Sequence, residues 1–513
     1  MSKLNSIRIQ NLRSLIDTGD IELKPLTILV GKNSVGKSTF ARTFPLLRQS
    51  CEANKKSPLL WYGKYVDFGD YETSINKNNS NDGILLSFNL STDLFEILDI
   101  FDISYTIRAN LDYELHKLLS SIKKDVEVKL LFIKNDDDSY SYKIDLSFFN
   151  QKITINLNKD EINVLINNIN YNINNDKIFT TTQNKILPNF IINPEKKQNT
   201  IDRKFTYFNY KNFIYLKLIK DFIKPDEIQD IDNEEYYSEI LTKSTYDFLY
   251  KVDKKIKKKI PYPIFNIDLK NQPDYENIFI ISKLPEILNY IDTSISKYFR
   301  KVQYLEPLRA TAQRYYRKQE LAINEVDSKG SNIAMFLVEH HTNSALKKLI
   351  QKHFNLEFIT ESNKGHITLN LLLDKIKNEK INLADLGVGY SQILPVILQL
   401  WSAVHNNKND EQGCLVVEQP ELHLHPAYQA KIADITIDII NQIKKSGRIY
   451  NFIYETHSPH LINRIGELID EGKFDKNDVK ILIFNNDLHN TQITEATFDD
   501  NGSLINWPFG FFL

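Results

Sequence analysis

The chain is 513 residues long, of which 42% are hydrophobic and 25% are charged, and its formal net charge is −2. This length predicts about three domains, and the near-neutral charge gives no global indication of nucleic acid binding. The two cysteines, Cys51 and Cys414, exclude a disulfide framework or a thiolate metal site. Because the sequence has neither a signal peptide nor an apolar run long enough to span a bilayer, we expect a cytoplasmic protein without a membrane partner.

A phosphate-binding pattern lies near the start of the chain, in residues 26–47, which read LTILVGKNSVGKSTFARTFPLL. After a shorter strand, SIRIQ, this segment predicts a buried strand, a glycine-bearing loop and the start of a helix. Gly31, Gly36, Lys37 and Ser38 match G-x-x-x-x-G-K-[ST]. Glycines let backbone N–H groups close around phosphates at the positive end of the helix dipole, while Lys37 can reach the outer phosphates and Ser38 can hold Mg²⁺. The sequence therefore predicts binding of ATP or GTP; a glycine turn between strand and helix is the alternative.

Other residues near this pattern complete the predicted nucleotide site. Arg13 follows the first strand, so it is a candidate nucleotide contact, although a surface arginine explains it equally well. Gln49 is too close to Lys37 in sequence to be assigned as a Mg²⁺-sensing glutamine, and residues 61–71 (WYGKYVDFGDY) predict a turn-rich aromatic segment. The rest of the loop and the next helical residue also belong to the site: Lys32, Asn33, Ser34, Val35 and Thr39.

The middle of the chain, residues 75–300, is rich in Asn, Ile and Lys and predicts an inserted α+β lobe. Residues 142–158 alternate with a period of two, which predicts antiparallel strands, whereas residues 235–259 predict a helix. No sustained heptad indicates a long coiled coil. The densest basic run is either a solvated helix face or a contact for nucleic acid phosphates. It consists of Lys251, Lys254, Lys255, Lys257, Lys258 and Lys259.

Three motifs follow in the second half of the chain. Residues 385–392 (DLGVGYSQ) predict a glycine-containing loop that leads into an apolar helix at 393–404. Residues 413–421 (GCLVVEQPE) predict a buried strand that ends in carboxylates. Residues 452–459 (FIYETHSP) predict a strand that ends at a histidine, followed by a helix with Ser458 as its N-cap.

Two of these strand ends carry residue types suited to a metal–nucleotide site. If the strands share one parallel sheet, Glu418 can hold Mg²⁺ or its water, and His457 can contact the γ-phosphate. His423 and His425 lie near Glu421 with the spacing of metal ligands, but a turn that packs against a partner explains the LHLHP segment better. The sequence thus predicts functional roles for Glu418 and His457.

Together these motifs resemble the ABC-type, AAA-family ATPases of the SMC and RecF kind, and more closely bacterial ATPases of the Septu (PtuA) and overcoming-lysogenization-defect type. The resemblance rests on NLRSL, GKNSVGKST, DLGVGYSQILP, LVVEQPELHLHP and ETHSPHLINRI. YLEPLR and the closing WPFGFF are similar to the subgroup found in Septu and in some retron defence operons. The resemblance implies an α/β fold: an ABC-type P-loop ATPase head, with a mixed central sheet and flanking helices, split into residues 1–74 and 301–513 by the α+β insertion at 75–300.

The resemblance also implies a head-to-tail homodimer that forms around ATP and Mg²⁺. The P-loop of one subunit, which includes Ser38 as a Mg²⁺ ligand, would face the signature loop of the other subunit across the nucleotide. The roles implied for the remaining residues are the signature loop for Gly387, Gly389 and Ser391, the Walker B acid and Mg²⁺ ligand for Glu418, and the switch histidine for His457.

Two departures from the family pattern concern catalysis. Gly387 stands where ABC signatures usually have a serine, and Ser391 is the residue that could replace that hydroxyl. Gln419 stands where a water-activating glutamate usually follows the Walker B acid, and its neutral amide cannot take a proton. Glu421 could serve instead if the turn at Pro420 points it inward. We therefore expect slow hydrolysis and a long-lived ATP-bound dimer.

The function implied is that of a regulatory ATPase of bacterial anti-phage defence that controls a partner nuclease. The implied partner is an HNH-type nuclease encoded by a neighbouring gene; a retron reverse transcriptase with its noncoding RNA, nucleic acid and a higher oligomer are further candidates. A toprim nuclease domain is not expected, because little sequence follows His457. The alternative is a RecF/SMC-like DNA-repair ATPase that acts directly on DNA. A transporter cassette is disfavoured by the long separation between Lys37 and Glu418.

Overall fold

The computed structural model describes most of the chain, and the described residues form two compact units. The insert unit comprises Met1–Arg8, Ala53–Leu59 and Asn81–Ser296, and the P-loop unit comprises Ile9–Glu52, Leu60–Ser80 and Lys297–Leu513. The lysine run at 251–259 and, apart from Lys243, the helix predicted at 235–259 lie outside the described residues. The described residues are 2–93, 123–148, 151–158, 161–174, 178–181, 184–192, 243, 274–319, 323, 325–374, 379–405, 412–487 and 490–508.

Consecutive strands dominate the first half of the described chain, whereas strands and helices alternate from residue 388 to residue 487. The strands are β1 (Lys3–Leu12), β2 (Leu15–Asp17), β3 (Ile21–Glu22), β4 (Leu26–Gly31), β5 (Ile84–Asp93), β6 (Lys123–Lys134), β7 (Tyr140–Phe148), β8 (Gln151–Leu157), β9 (Glu161–Ile166), β10 (Ile169–Asn174), β11 (Ile178–Thr181), β12 (Asn189–Ile192), β13 (Val302–Leu305), β14 (Tyr316–Arg317), β15 (Phe358–Asn363), β16 (His366–Asp374), β17 (Glu379–Asn382), β18 (Gln412–Glu418), β19 (Ile449–Glu455), β20 (Val479–Asp487), β21 (Asn490–Phe498) and β22 (Leu504–Ile505). The α-helices are α1 (Lys37–Glu52), α2 (Tyr71–Ser74), α3 (Asp274–Phe299), α4 (Ile333–Glu339), α5 (Ser344–Phe354), α6 (Val388–His405), α7 (Pro426–Lys445) and α8 (Pro459–Asp470).

The P-loop unit is built around a sheet of seven described strands in the order β13-β18-β19-β4-β20-β21-β22. Five of these strands run parallel to one another: β13, β18, β19, β4 and β20. Strand β21 pairs antiparallel with β20, and β22 pairs antiparallel with β21. Nearly all residues of β4, β18 and β19 are buried, as expected for parallel strands covered on both faces. Glu455 is paired with Glu418 on one side and with Leu29 on the other, so these three strands end at the same edge. Side chains at this edge are therefore brought together.

Helices cover both faces of this sheet. On one face, the Phe40 ring of α1 lies 5.7 Å from the Phe44 ring and 6.1 Å from the Phe484 ring of β20, measured between centroids. Ile481 and Ile483 point to the opposite face, because alternate residues of a strand do so, and they join a buried cluster with α6, α7 and α8. The predicted α/β class is confirmed. None of the helices in the described part of the chain is both long and apolar enough to cross a membrane.

The helix predicted at 393–404 is present as α6, but it begins earlier, at Val388. A 3₁₀ turn capped by the side chain of Asn382 ends the preceding segment, which leaves little chain for a loop before α6. The loop predicted at 385–392 is therefore wrong in its second half, since Gly389 lies inside the helix. A Cβ at Gly389 would lie 3.1 Å from a backbone oxygen of the turn after β18, so glycine permits this close packing.

The aromatic segment predicted at 61–71 is confirmed as turn-rich, and it is held by Gln49 of α1. The buried Gln49 amide donates to the carbonyl oxygens of Leu60 (2.6 Å) and Val66 (3.2 Å), and its oxygen accepts from the backbone of Tyr65 (3.2 Å). All of these bonds join α1 to the following segment. Gln49 therefore has a structural role: it holds this segment against α1.

The insert unit contains a sheet with the strand order β10-β9-β8-β7-β6-β5-β1, in which neighbouring strands from β10 to β5 are antiparallel. The antiparallel strands predicted at 142–158 are confirmed as β7 and β8, with Tyr142 opposite Leu157. The carboxylate of Asp292, on α3, accepts hydrogen bonds from the backbone N–H groups of Ile186 (2.7 Å) and Leu187 (2.9 Å). These bonds tie α3 to the segment that precedes β12.

Candidate nucleotide site

The P-loop connects β4 to α1, and its two glycines have backbone conformations that other residues rarely adopt. Gly31 has a φ of +146° and Gly36 has a φ of +103°. A Cβ at Gly31 would lie only 2.3 Å from the carbonyl oxygen of Phe484, and one at Gly36 would lie 2.9 Å from the side chains of Ser14 and Leu15. Both positions therefore require glycine for conformation and for space. The predicted strand–loop–helix arrangement is confirmed.

Lys37 begins α1, and its ammonium group folds back over the loop. The Nζ atom donates to the carbonyl oxygens of Gly31 (2.9 Å) and Lys32 (2.6 Å). Burial lowers the pKa of Lys37, while the charge of Glu455 opposes that shift. The loop is thus already wrapped around its lysine. The first N–H groups of an α-helix have no partner within the helix, so the start of α1 supplies donors of the kind that an anion site requires.

Glu455, the last residue of β19, lies against the start of α1. Its Oε1 atom accepts a 3.0 Å hydrogen bond from the Ser38 hydroxyl and lies 3.8 Å from Lys37 Nζ. The residue is only 4% exposed. Burial and the charge of Glu418 raise the pKa of Glu455 to about 7, although Ser38, Lys37 and Arg42 act in the opposite direction. Sequence reasoning missed Glu455, whose signal was its place at the end of a strand just before the predicted switch histidine.

Glu418, the predicted Walker B acid, ends β18 next to Glu455 but has other partners. Arg42 of α1 donates from Nε to Oε1 and from Nη2 to Oε2, both at 2.7 Å. The Tyr304 hydroxyl donates to Oε1 at 2.6 Å. Burial, followed by the charge of Glu418, raises the pKa of Tyr304. Neither Arg42 nor Tyr304 was predicted as a site residue, because their proximity to Glu418 depends on the packing of α1 and β13.

The turn after β18 holds Gln419 in a left-handed conformation, with a φ of +45°. Its backbone N–H donates to the carbonyl oxygen of Glu455 at 2.7 Å, which links the ends of β18 and β19. The buried Arg309 guanidinium donates to the carbonyl oxygen of Glu418 at 2.9 Å. Burial lowers the pKa of Arg309 to about 10, against the charges of Glu421 and Glu418. A strained backbone fixed from two sides is typical of functional sites.

Glu421 points inward, as its predicted catalytic role requires. Its Oε1 atom accepts a 2.7 Å hydrogen bond from the backbone N–H of His457. Burial raises the pKa of Glu421, whereas this hydrogen bond lowers it. The pKa of His457 is lowered by burial and by the charge of Lys37. Ser458 is confirmed as the N-cap of α8, since its hydroxyl accepts from the N–H of Leu461 at 3.0 Å.

The residues predicted to form the signature loop lie just before and within the first turn of α6. The buried Ser391 hydroxyl donates to the carbonyl oxygen of Val388 at 2.8 Å, so it is engaged within its own helix. Gly387 has open space on its side-chain face, with no atom within 4 Å of a Cβ built there. Val388 is 51% exposed. Of these residues, Gly387 therefore remains accessible from outside, whereas Ser391 is turned away.

The remaining predicted residues have local partners. The Arg13 guanidinium stacks over the Phe68 ring at 4.2 Å, and burial lowers its pKa, with the nearby charge of Arg42 acting in the same direction. His425 is the N-cap of α7, and its Nδ1 accepts from the N–H of Ala427 at 3.3 Å. In the described part of the chain, no group of three or more His, Cys, Asp or Glu side chains is placed to hold a metal. Residues 420–423 form a turn, as was predicted for this segment, and His425 follows it.

The site and the sheet that carries it define an ATPase of the AAA class: residues 2–462 match the AAA ATPase domain, and the chain belongs to this family. The chain is also similar to the Escherichia coli "Retron Ec83 probable ATPase", with 26% identity over 165 residues. That match covers 27% of this chain and 29% of the retron protein, so it spans under a third of that relative.

Two solved structures resemble the chain over nearly its whole length. The Smc head domain of Pyrococcus furiosus, with an extended coiled coil and bound to the C-terminal domain of ScpA, has 12% identity, 97% coverage of each chain and a TM-score of 0.32. The SMC head domain from Thermotoga maritima has 8% identity, covers 96% of this chain and 98% of its own, and has a TM-score of 0.34.

Proposed function

We propose that the P-loop unit binds ATP together with Mg²⁺ at the edge where β4 and β19 end. The observation that carries this proposal is the position of Lys37 and Ser38 at the start of α1, facing the carboxylate of Glu455. The residues fit these ligands. The glycines keep side chains out of the loop, Lys37 supplies a charge for the outer phosphates, and Ser38 with an acidic residue at this edge would hold the metal. Bound Mg²⁺ would neutralise charge on the phosphates.

Hydrolysis of the bound ATP is proposed to be slow. Gln419 follows Glu418, and an amide cannot accept the proton of the attacking water. Glu421 is the nearest replacement on the same turn, but it already accepts the N–H of His457 and lies near the charge of Arg309. His457 is proposed to sense the γ-phosphate.

A second copy of the chain is proposed to complete the site, head to tail. Leu308 and Val388 are 70% and 51% exposed, and they lie on adjoining segments, since the side chain of Gln392 hydrogen-bonds the backbone of Arg309. Exposed apolar side chains next to the open face of Gly387 suit a surface covered by another subunit. Gly387 and Gly389 would then approach the nucleotide of the other copy, and a higher oligomer built from such dimers is the second assembly to be tested.

The biological role proposed is regulation of a partner nuclease in bacterial anti-phage defence. Support comes from the similarity to the E. coli "Retron Ec83 probable ATPase" and from the Septu-like sequence motifs. An HNH-type nuclease from a neighbouring gene is the proposed effector; a retron reverse transcriptase with its noncoding RNA is a second candidate partner. A RecF/SMC-like DNA-repair ATPase is the competing function, in which DNA itself is the partner.

The nucleotide proposal is tested by titrating ATP with Mg²⁺ into the full chain by calorimetry. Lys37→Ala and Ser38→Ala are compared with Lys473→Ala, which removes a lysine from an exposed position on the same unit. Loss of a charge-assisted contact to a phosphate weakens binding by about 10-fold to 100-fold, so Lys37→Ala should lose most of its affinity and Lys473→Ala none. Wild-type affinity in Lys37→Ala would contradict the proposal.

Light scattering and copurification test the assembly and the role. The wild-type chain should dimerise with ATP and Mg²⁺ but not without nucleotide, and the neighbouring gene product should coelute with it. DNA is then added to the ATPase assay. Strong stimulation by DNA, without a stable protein partner, would favour the repair function over the regulation of a nuclease.

A further inference from the structure

Two buried carboxylates lie at the edge where the nucleotide is proposed to bind, and their surroundings differ. Both oxygens of Glu418 are occupied by Arg42, and one of them also accepts from Tyr304. Glu455 accepts a single hydrogen bond, from Ser38, through Oε1. Its Oε2 atom is buried and has no hydrogen-bond partner among the described residues. Of these two carboxylates, Glu455 is therefore the one with unused acceptor capacity. Glu421, on the turn after β18, also has a buried Oε2 atom without a hydrogen-bond partner among the described residues, but its Oε1 atom accepts from the His457 N–H and not from the P-loop helix.

The charges also differ between the two carboxylates. The guanidinium of Arg42 forms a bidentate pair with Glu418, which balances that charge locally. The cation nearest to Glu455 in the described structure is Lys37, 3.8 Å away, and this ammonium already donates to two loop carbonyls. Once Lys37 is shared with nucleotide phosphates, the charge of Glu455 requires another cation, because a buried carboxylate is costly without one.

We infer that Glu455, rather than Glu418, is the carboxylate that holds Mg²⁺ together with Ser38. This inference rests on the proposed binding of ATP with Mg²⁺. The Ser38 Oγ and Glu455 Oε1 atoms are 3.0 Å apart. Neighbouring oxygen ligands of an octahedral Mg²⁺ are separated by about 3.0 Å, since each lies about 2.1 Å from the metal and the two bonds are at right angles. The two oxygens thus already have the spacing of a pair of Mg²⁺ ligands.

Glu418 then acts as a positioning residue. Its carboxylate holds Arg42 and Tyr304, and its strand end is joined to Glu455 through the bond from the Gln419 N–H to the Glu455 carbonyl oxygen. It would keep β18 and β19 aligned at the site without contacting the metal.

The test compares the affinity for ATP with Mg²⁺ and with EDTA, measured by calorimetry on the full chain. The variants are Glu455→Gln and Glu418→Gln, and Glu467→Gln serves as a control at an exposed position on α8. In the wild type and in Glu467→Gln, Mg²⁺ should strengthen binding at least about ten-fold, and this gain should fall to less than about three-fold in Glu455→Gln. Glu418→Gln should keep the ten-fold gain in ATP affinity with Mg²⁺. Electron paramagnetic resonance of Mn²⁺ in the ATP complex should show bound metal in the wild type, Glu467→Gln and Glu418→Gln, and weakened metal binding in Glu455→Gln.

The metal-free affinity separates a lost ligand from a misfolded variant. Without metal, Glu455→Gln should bind ATP at least as tightly as the wild type, because a negative charge near the phosphates has been removed. The inference would be overturned if Mg²⁺ strengthened ATP binding by Glu455→Gln as much as by the wild type, or if this strengthening were lost in both Glu455→Gln and Glu418→Gln. It would also be overturned if the metal-free affinity of Glu455→Gln were well below the wild-type value. A wild type that binds no ATP with or without Mg²⁺ would instead refute the proposed function.

Discussion

Replacing Arg42 by methionine should destabilise the P-loop unit strongly. Glu418 is only 2% exposed, and Arg42 supplies two of the three hydrogen bonds that its carboxylate accepts. Removal of one partner from a buried ion pair costs about 3–5 kcal/mol. Because the Arg42 side chain is 34% exposed, water can partly replace it, and we expect about 3 kcal/mol, the lower end of that range.

The interaction itself is isolated by a double-mutant cycle with Glu418→Gln. Glu418→Gln alone should cost about 1 kcal/mol, because the released guanidinium can be hydrated. The double variant should cost about 2 kcal/mol, less than the sum of the single changes, since no buried charge is left without a partner. The expected coupling energy is therefore about 2 kcal/mol. Arg314→Met, which breaks an exposed pair with Asp385, is the control and should cost less than about 1 kcal/mol.

The assay is urea denaturation of the nucleotide-free chain followed by tryptophan fluorescence. This signal reports on the P-loop unit alone, because that unit contains every tryptophan of the chain. The reasoning would be refuted if Arg42→Met lowered the free energy of unfolding by less than about 1 kcal/mol. It would also be refuted if the loss in the double variant equalled the sum of the two single losses within about 0.5 kcal/mol. The tryptophans are Trp61, Trp401 and Trp507.

Three further predictions concern packing, pH and turnover. Gly466→Ala should destabilise the P-loop unit by about 1–2 kcal/mol in urea unfolding, because a Cβ there would lie 2.3 Å from the Gly502 oxygen; no loss of stability would contradict this packing. A histidine and then a lysine on α5 lower the pKa of Asp438 to about 2. The stabilisation that Asp438→Asn removes should thus be present above about pH 4, the unfolded pKa, and disappear as the pH falls to about 2; a constant difference in unfolding midpoints would argue against it. Gln419→Glu should raise kcat several-fold in a steady-state ATPase assay, since a carboxylate can accept a proton; an unchanged or lower kcat would contradict slow turnover.

Sequence alone predicted the parts of the site that depend on local chemistry. The strand–loop–helix around Lys37 follows from a glycine pattern with a known physical reason, and Ser458 was identified as an N-cap from its position before a proline. The two strands that carry Glu418 and Glu455 were visible as apolar runs, although the second was expected to end at His457 and ends two residues earlier, at Glu455. All these features are encoded within a few residues of each other, so no knowledge of the tertiary structure was needed.

Contacts between distant segments were not predictable in this way. Whether Ser38 meets Glu418 or Glu455 depends on the order of the strands, and β19 lies between β18 and β4. Arg42 could not be recognised because many surface arginines have the same helical spacing. The start of α6 was misplaced because the glycines of the DLGVGYSQ segment favour a loop, whereas packing against the turn after β18 favours a helix that contains Gly389.

The sheet order also constrains when the nucleotide site can form during synthesis. Leu26 on β4 pairs with Phe452 on β19 and with Val479 on β20, so both neighbours of the P-loop strand come from late in the chain. A nascent chain that stops before residue 449 therefore has an apolar strand with two open edges, which is prone to aggregation and suited to chaperone binding. The ability to bind ATP should appear on the ribosome only after residues 449–487 have emerged.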